Sequence, residues 1–175
     1  MTNANTEAAL PYPNCIVIYT DGSCQPNPGP GGFAAILYRL INGEVVVPME
    51  QTGGAVATTN NQMELGAAIA ALKQIKRDEP LPIFVRSDSK YLVDGWNQWL
   101  PRWIAKGWRK GDGKPVENPG LWREIIRLCD GLNVTFEWVR GHAGDPMNEE
   151  ADRLASEERD KWVRKHAQEL FGSAA

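Results

Sequence analysis

Four acidic residues fall on four separate segments of the chain: Asp21 in IVIYTDGS, Glu64 in TTNNQMEL, Asp88 in IFVRSDS and Asp152 in EEADRLA. Two follow apolar, β-branched runs and two lie in helix-like runs. Carboxylates gathered in one place repel one another and lose hydration, so they need a positive partner. A set of oxygen ligands suits a hard divalent cation such as Mg²⁺, with Mn²⁺ as the alternative. Such an ion beside an activated water does phosphoryl chemistry.

Each carboxylate also has a plainer reading. Asp21-Gly22 fits a strand-end turn. Asp88 ahead of Ser89 fits a helix N-cap. Asn61-x-x-Glu64 is close to a capping box. Asp152 fits an exposed helical carboxylate paired with a neighbouring base. The combination favours a single site. The strands leading to Asp21 and Asp88 can be neighbours, and ligands in such sheets gather at strand ends. Glu64 begins a helix that packs over the sheet, and Asp152 lies near the start of the last helix.

His142, in VRGHAGDPMNEEAD, sits in a Gly-flanked loop ten residues before Asp152. A satisfied structural histidine is one reading; a proton shuttle beside a metal site is the other, since imidazole titrates near pH ~6.5. His166 reads as a surface residue. Trp96, Trp99, Trp103 and Trp108 interleave with Arg102, Lys106, Arg109 and Lys110. The tryptophans can form a packed stripe. With the cations they can also hold a nucleic acid, cations on phosphates and aromatic faces on sugar or base.

These residues must be positioned by a small set of elements. CIVIYTDGS reads as a strand closed by Asp-Gly, and QPNPGPGG as a Pro/Gly loop. FAAILYRL and EVVVPMEQTGG form a hairpin about Asn42-Gly43, with Pro48 marking an edge or a bulge. NNQMELGAAIAALKQI is a helix with Leu65, Ile69, Leu72 and Ile75 at helical spacing. IFVRS is a short central strand. DSKYLVDGWNQWLPRWIAKGW reads as two short helices broken near Gly95 and again near Pro101. LWREIIRLCDGL is a helix, NVTFEWVRG a fifth strand and NEEADRLASEERDKWVRKHAQEL a long helix. The order β-β-β-α-β-α-α-β-α predicts an α/β fold, a five-stranded mixed sheet flanked by helices.

The chain has 175 residues, enough for one domain with a sizeable core. No run is long and apolar enough for a transmembrane helix. The opening MTNANTEAALPYPN lacks a basic region and an apolar core, so no secretory signal is expected and residues 1–13 read as a disordered extension. Three cysteines without CxxC spacing argue against a disulfide framework or a zinc site and fit a reducing cytoplasm. Two histidines exclude a multi-histidine metal site. The net charge is −3, yet residues 102–114 carry a local +4, so the remainder carries −7. A basic projection on an acidic body can grip a polyanion at one place.

With these patterns assembled, the chain resembles the bacterial type I ribonuclease H family. The resemblance rests on YTDGSCQPNPGPGG, TTNNQMEL, SDSKYLVDGWNQW, KGWRKGDGKPVENPGLW and WVRGHAGDPMNEEADRLA, in family order over roughly residues 14–160. It implies a ribonuclease H-like fold, with the catalytic domain over residues 14–165 and a C-terminal tail over 166–175. It also implies a monomer without membrane attachment that cleaves the RNA strand of RNA–DNA hybrids, leaving 5′-phosphate and 3′-hydroxyl ends. Asp21, Glu64, Asp88 and Asp152 match the family's carboxylates for two Mg²⁺ ions, and His142 matches its catalytic histidine. Asn27, Asn60 and Asn61 match residues that contact RNA. Thr59 and Asn118 match a pocket for a DNA phosphate, and Tyr91 and Trp99 a channel for DNA sugars. Residues 96–115, with Arg102, Trp103, Lys106, Trp108, Arg109 and Lys110, look like the basic protrusion.

Three departures accompany the match. Lys90 stands where Gln or Met is common, Ala57 leaves the phosphate pocket without an arginine, and Asp112 dilutes the protrusion's charge. Two rivals share the pattern: a non-catalytic hybrid-binding module, and a DNA nuclease of the same broad fold.

Overall fold

The computed structural model describes residues 12–171. The expected disordered extension over 1–13 falls almost wholly outside these residues, as does the end of the expected tail. Five strands form one sheet: β1 (Cys15–Cys24), β2 (Gly29–Ile41), β3 (Glu44–Thr58), β4 (Ile83–Ser87) and β5 (Val134–Trp138). Their spatial order is β3-β2-β1-β4-β5. β1, β2 and β3 form an antiparallel meander, while β4 and β5 add in parallel beside β1. The sheet is thus mixed, as the element order predicts.

Helices cover both faces, so β1 is apolar on both sides. Ile16 and Ile18 point to one core, with Leu65 and Leu72 of α1 (Asn60–Leu72), Val85, and Trp122 and Ile125 of α4 (Pro119–Cys129). Cys15, Val17 and Tyr19 point to the other, with Phe84 and with Ala151 of α5 (Pro146–Phe171). Asn42 and Gly43, both at positive φ, make the two-residue turn between β2 and β3. Pro48 lies on the edge strand β3, opposite Tyr38 and next to a register shift, where its missing N–H costs no ladder bond in the sheet interior.

Three boundaries differ from expectation. β1 does not end at Asp21-Gly22 but continues to Cys24, pairing Ser23 and Cys24 with Gly32 and Gly31. The Gly-rich stretch after Pro28 is therefore strand rather than loop.

The chain also does not break at Gly95 or Pro101. α2 (Lys90–Asp94) passes through a π-helical turn (Gly95–Trp99) into α3 (Leu100–Ala105). Leu100 N–H reaches back to Gly95 C=O, and this wider turn carries the chain into a helical Pro101 without a break.

Finally, α5 runs unbroken to Phe171, so the expected boundary at residue 165/166 falls inside a helix.

Candidate active site

The site forms where β1 and β4 run side by side. Asp21 lies within β1, paired with Ala34, so it is not a turn residue. Asp88 follows β4, whose register sets Ser87 beside Thr20. The N-cap of α2 is Ser89, whose hydroxyl accepts from Leu92 N–H at 3.3 Å, so Asp88 is free of that duty. Glu64 comes from the second turn of α1. The capping box of that helix is Thr59 with Gln62, not Asn61 with Glu64. Thr59 Oγ1 accepts from Gln62 N–H at 3.2 Å, and Gln62 Oε1 accepts from Thr59 N–H at 3.0 Å. The plainer readings of Asp21, Glu64 and Asp88 therefore fall away one by one.

Each of these three carboxylates offers an oxygen, and the three oxygens lie within 4.8 Å of one another. Asp21 and Glu64 are 7% and 4% exposed. Burial first, then the charges of Asp88 and Asp152, push the Asp21 carboxyl up to about 7, against the pull of the Gly22 N–H. Burial, then Asp21 and Asp88, raise Glu64 well above the ordinary range, with Gly22 and Asn60 opposing. Glu64 Oε2 is buried and has no hydrogen-bond partner, although Asn60 Nδ2 donates to Oε1 at 3.4 Å. A buried oxygen without a donor, among carboxylates that resist ionisation together, is the environment a divalent cation relieves. The donor set therefore fits the expected metal.

Glycines set the approach of the parts. A Cβ on Gly22 would collide with the α1 backbone at Met63 and Glu64, so only glycine lets α1 come this close to β1. A Cβ on Gly141 would run into the Asp88 carboxylate. The loop bearing His142 can therefore lie directly against the site.

Asp152 stands outside the tight trio but near enough for its charge to raise Asp21. Its Oδ2 is 3.9 Å from Nδ1 of His142, whose side chain is 80% exposed and whose backbone has a φ of 51°. The neighbouring Arg153 pairs with Glu150 and Glu157 instead, so Asp152 is not matched to a helical base of its own.

The expected substrate residues form two groups. In the first, Asn27 Oδ1 accepts from Asn60 N–H at 3.1 Å, and Asn61 follows on α1. In the second, Gln62 Nε2 donates to Asn118 Oδ1 at 3.2 Å and Asn118 Nδ2 donates to the Tyr91 hydroxyl at 3.2 Å, joining Thr59's cap to Tyr91. Tyr91, Trp99, Trp103, Lys110 and Glu117 line a cavity of about 270 Å³.

Other residues go elsewhere. Lys90 lies over the Trp138 ring at 5.4 Å, and Trp108 stacks under Arg123 at 4.6 Å. Arg109 Nη1 donates to Gly113 C=O at 2.9 Å. Arg102 and Lys106 are exposed on α3 and its C-cap.

Sequence reasoning missed Gln62, Trp138 and Asn148. Gln62 had a signal, the Thr59-x-x-Gln62 box two residues before the one considered. Trp138 Nε1 donates to Asp88 C=O at 3.0 Å, and buried Asn148 donates to Asp88 Oδ2 at 3.5 Å. Neither has a local signal, because each pairing crosses fifty or more residues.

The RNase H family model matches residues 13–160. A ribonuclease H of Cupriavidus pinatubonensis is 45% identical over 141 residues, covering 81% of this chain and 92% of that protein. One of Rhizobium meliloti is 47% identical over 138 residues, covering 79% and 86%. The crystal structure of LC9-RNase H1, a type 1 RNase H with the type 2 active-site motif, superposes with a TM-score of 0.74 at 30% identity, covering 88% of this chain and 76% of that one. With its sheet order and the carboxylate trio at the β1–β4 junction, the chain belongs to the ribonuclease H family.

Proposed function

We propose that this protein hydrolyses the RNA strand of RNA–DNA hybrids endonucleolytically, leaving 5′-phosphate and 3′-hydroxyl ends, with Asp21, Glu64, Asp88 and Asp152 holding two Mg²⁺ ions. The observation that carries this reading is the trio of carboxylate oxygens, one each from Asp21, Glu64 and Asp88, within 4.8 Å of one another. When bound, the ions supply an activated water and charge stabilisation at the leaving oxygen.

The chain's own residues do the rest. Asp21 and Glu64, fixed on β1 and α1, present their oxygens without rearrangement, which is the preorganisation that transition-state stabilisation needs. His142, exposed and beside Asp152, is placed to move a proton on and off the departing group. Asn27, Asn60 and Asn61 are short amides that both donate and accept, the chemistry needed to read a 2′-hydroxyl. Thr59 Oγ1 accepts the α1 capping bond, leaving its O–H to donate to a DNA phosphate beside Asn118. The Tyr91–Trp99–Trp103 wall accepts sugars of the same strand. Lys90, held over Trp138 beside Asp88, adds charge along the same edge.

Three free thiols, with Cys15 and Cys129 buried, support a reducing, cytoplasmic setting, and the protein acts as a monomer. Among the described residues no helix is long and apolar enough to cross a membrane.

One assay tests the reading: cleavage of hybrid, duplex DNA and duplex RNA of one sequence, with Mg²⁺ or with chelator. Mg²⁺-dependent cuts confined to the RNA of the hybrid are expected. Binding without cleavage would favour the non-catalytic module, and cutting of duplex DNA the rival nuclease.

A further inference from the structure

Beneath the carboxylates lies a polar row that the proposed reaction does not use. Tyr19 of β1, Arg86 of β4 and Glu137 of β5 are direct cross-strand partners, Tyr19↔Arg86 and Arg86↔Glu137. Each pairing has its hydrogen bond. Arg86 Nη1 donates to the Tyr19 hydroxyl at 3.0 Å, and Arg86 Nε donates to Glu137 Oε2 at 2.9 Å. Arg86 is only 4% exposed, on the sheet face where Phe84 packs two residues earlier. An apolar side chain would fill that place at lower cost, because a buried ion pair seldom adds stability over a hydrophobic equivalent. What it adds is geometry: a planar guanidinium holds its partners in fixed directions.

The row reaches a fourth segment. Tyr19 shares its core with Ala151 and Met147 of α5. Burial raises the Tyr19 hydroxyl, and Asp145 at the head of that helix is near enough for its charge to raise it further, against the pull of Arg86. Asp145 Oδ1 accepts from Met147 N–H at 3.0 Å and from Asn148 N–H at 3.3 Å, so the same carboxylate caps α5. Asp145 lies three residues after His142 and seven before Asp152. Tyr19 lies two residues before Asp21, and Arg86 two before Asp88. Every segment that this row joins therefore carries, or directly adjoins, a residue of the site.

We infer that Tyr19, Arg86, Glu137 and Asp145 form a positioning network that fixes the start of α5, and with it the His142 loop and Asp152, against the strands bearing Asp21 and Asp88. The inference rests on the site reading above and goes beyond it. These four side chains touch no substrate. They act by holding the histidine and the fourth carboxylate in register with the other three.

Tyr19→Phe removes one hydroxyl and keeps the ring against Tyr38. Asp145→Asn removes the charge and keeps an oxygen for the cap. In the full chain both variants should fold. Each should lower kcat on a hybrid about 10-fold with KM within about 2-fold, and weaken Mn²⁺ binding by calorimetry several-fold, as loss of outer support to a metal site does. Combined with His142→Ala, each should cost clearly less than its effect in the wild-type background, because the group it places is gone. Tyr38→Phe serves as the control and should change none of these.

A fall in melting temperature with kcat and Mn²⁺ affinity unchanged would overturn the inference, as would full additivity with His142→Ala. If the wild-type protein failed to cleave hybrid at all, the site reading would fall, while the Mn²⁺ titrations would still report on the network.

Discussion

The carboxylate centre and the basic protrusion are built in opposite ways. Asp21 and Glu64 are buried on β1 and α1, and they leave a charge conflict unresolved: oxygens crowd together and one has no donor. The protrusion engages most of its own charges, Arg102 and Lys106 excepted. Lys110 pairs with Glu117 at 3.0 Å, Lys114 with Asp112 at 3.6 Å, and Arg109 bonds a carbonyl of its own loop. Its chain folds back on itself through Lys110 N–H to Lys114 C=O and Val116 N–H to Trp108 C=O. The frustrated region thus awaits a ligand, whereas the satisfied one presents a finished surface. Substitutions should accordingly have sharp effects in the first and graded effects in the second.

The largest effects should come from the centre. Asp21→Asn or Glu64→Gln should lower kcat by roughly 10³-fold or more while the protein stays folded, since each removes a charged ligand from preorganised chemistry. Without metal, the same changes should stabilise. The Asp21 carboxyl is pushed from 3.8 to about 7 in the folded protein. Between those values the folded state holds a proton that the unfolded state releases, so stability falls as pH rises through the window. The metal-free wild type should therefore melt higher at pH 5 than at pH 8, and Asp21→Asn should remove most of that slope. Relief of the conflict should amount to about 1–3 kcal/mol at pH 8, or roughly 2–10 °C in Tm. Divalent binding should weaken as pH drops below about 7, because protons compete for the same oxygens. Lower metal-free stability in Asp21→Asn would mean that the carboxylates are satisfied after all.

The same contrast governs what the sequence made legible. The trio was readable because each member sits in or directly after a regular element whose period and ends leave local marks: the apolar run into Asp21, the helical spacing after Glu64, the short strand before Asp88. The helical continuity from Lys90 to Ala105 was not, because Gly95 and Pro101 are breakers by local rule and only the π-helical turn carries the chain past them. Arg86 was equally hidden. In IFVRS it looks like a strand-end cation, and only strand register sets it between Tyr19 and Glu137. The +4 of residues 102–114 could be counted, but Glu117, just outside that window, pairs with Lys110. The free share of that charge had to be seen in space.

His142 lies between the two regimes, exposed like the protrusion yet adjoining the centre. His142→Ala should slow turnover by roughly 10²-fold, the usual contribution of a positioned proton carrier, and leave KM for hybrid nearly unchanged. It should not alter Mn²⁺ affinity by calorimetry. A loss as deep as that of Asp21→Asn, with weakened metal binding, would move His142 into the centre as a direct ligand. No loss at all would return it to the surface.

The smallest effects belong to the protrusion, and there the structure divides cations that the sequence treats alike. Among the described residues Arg102 and Lys106 form no ion pair, whereas Lys110 and Arg109 are already engaged. A cation that must leave a carboxylate to meet a phosphate returns less than one that leaves only water. Arg102→Ala with Lys106→Ala should therefore raise KM several-fold with kcat held, since cations on phosphates bind ground and transition states alike. The slope of log Kd against log salt should flatten by roughly 0.7–0.9 for each phosphate no longer neutralised, so by about 1.5 for this pair. Arg109→Ala with Lys110→Ala should flatten it by less than half as much. Lys110→Ala should also free Glu117 at the mouth of the Tyr91–Trp99–Trp103 cavity, placing a bare carboxylate where the DNA strand is expected. Neutralising that carboxylate with Glu117→Gln in the Lys110→Ala background should recover most of the lost affinity. Equal slopes for the two pairs would show that the internal ion pairs open freely on binding, and the contrast between a frustrated centre and a finished surface would then hold for the centre alone.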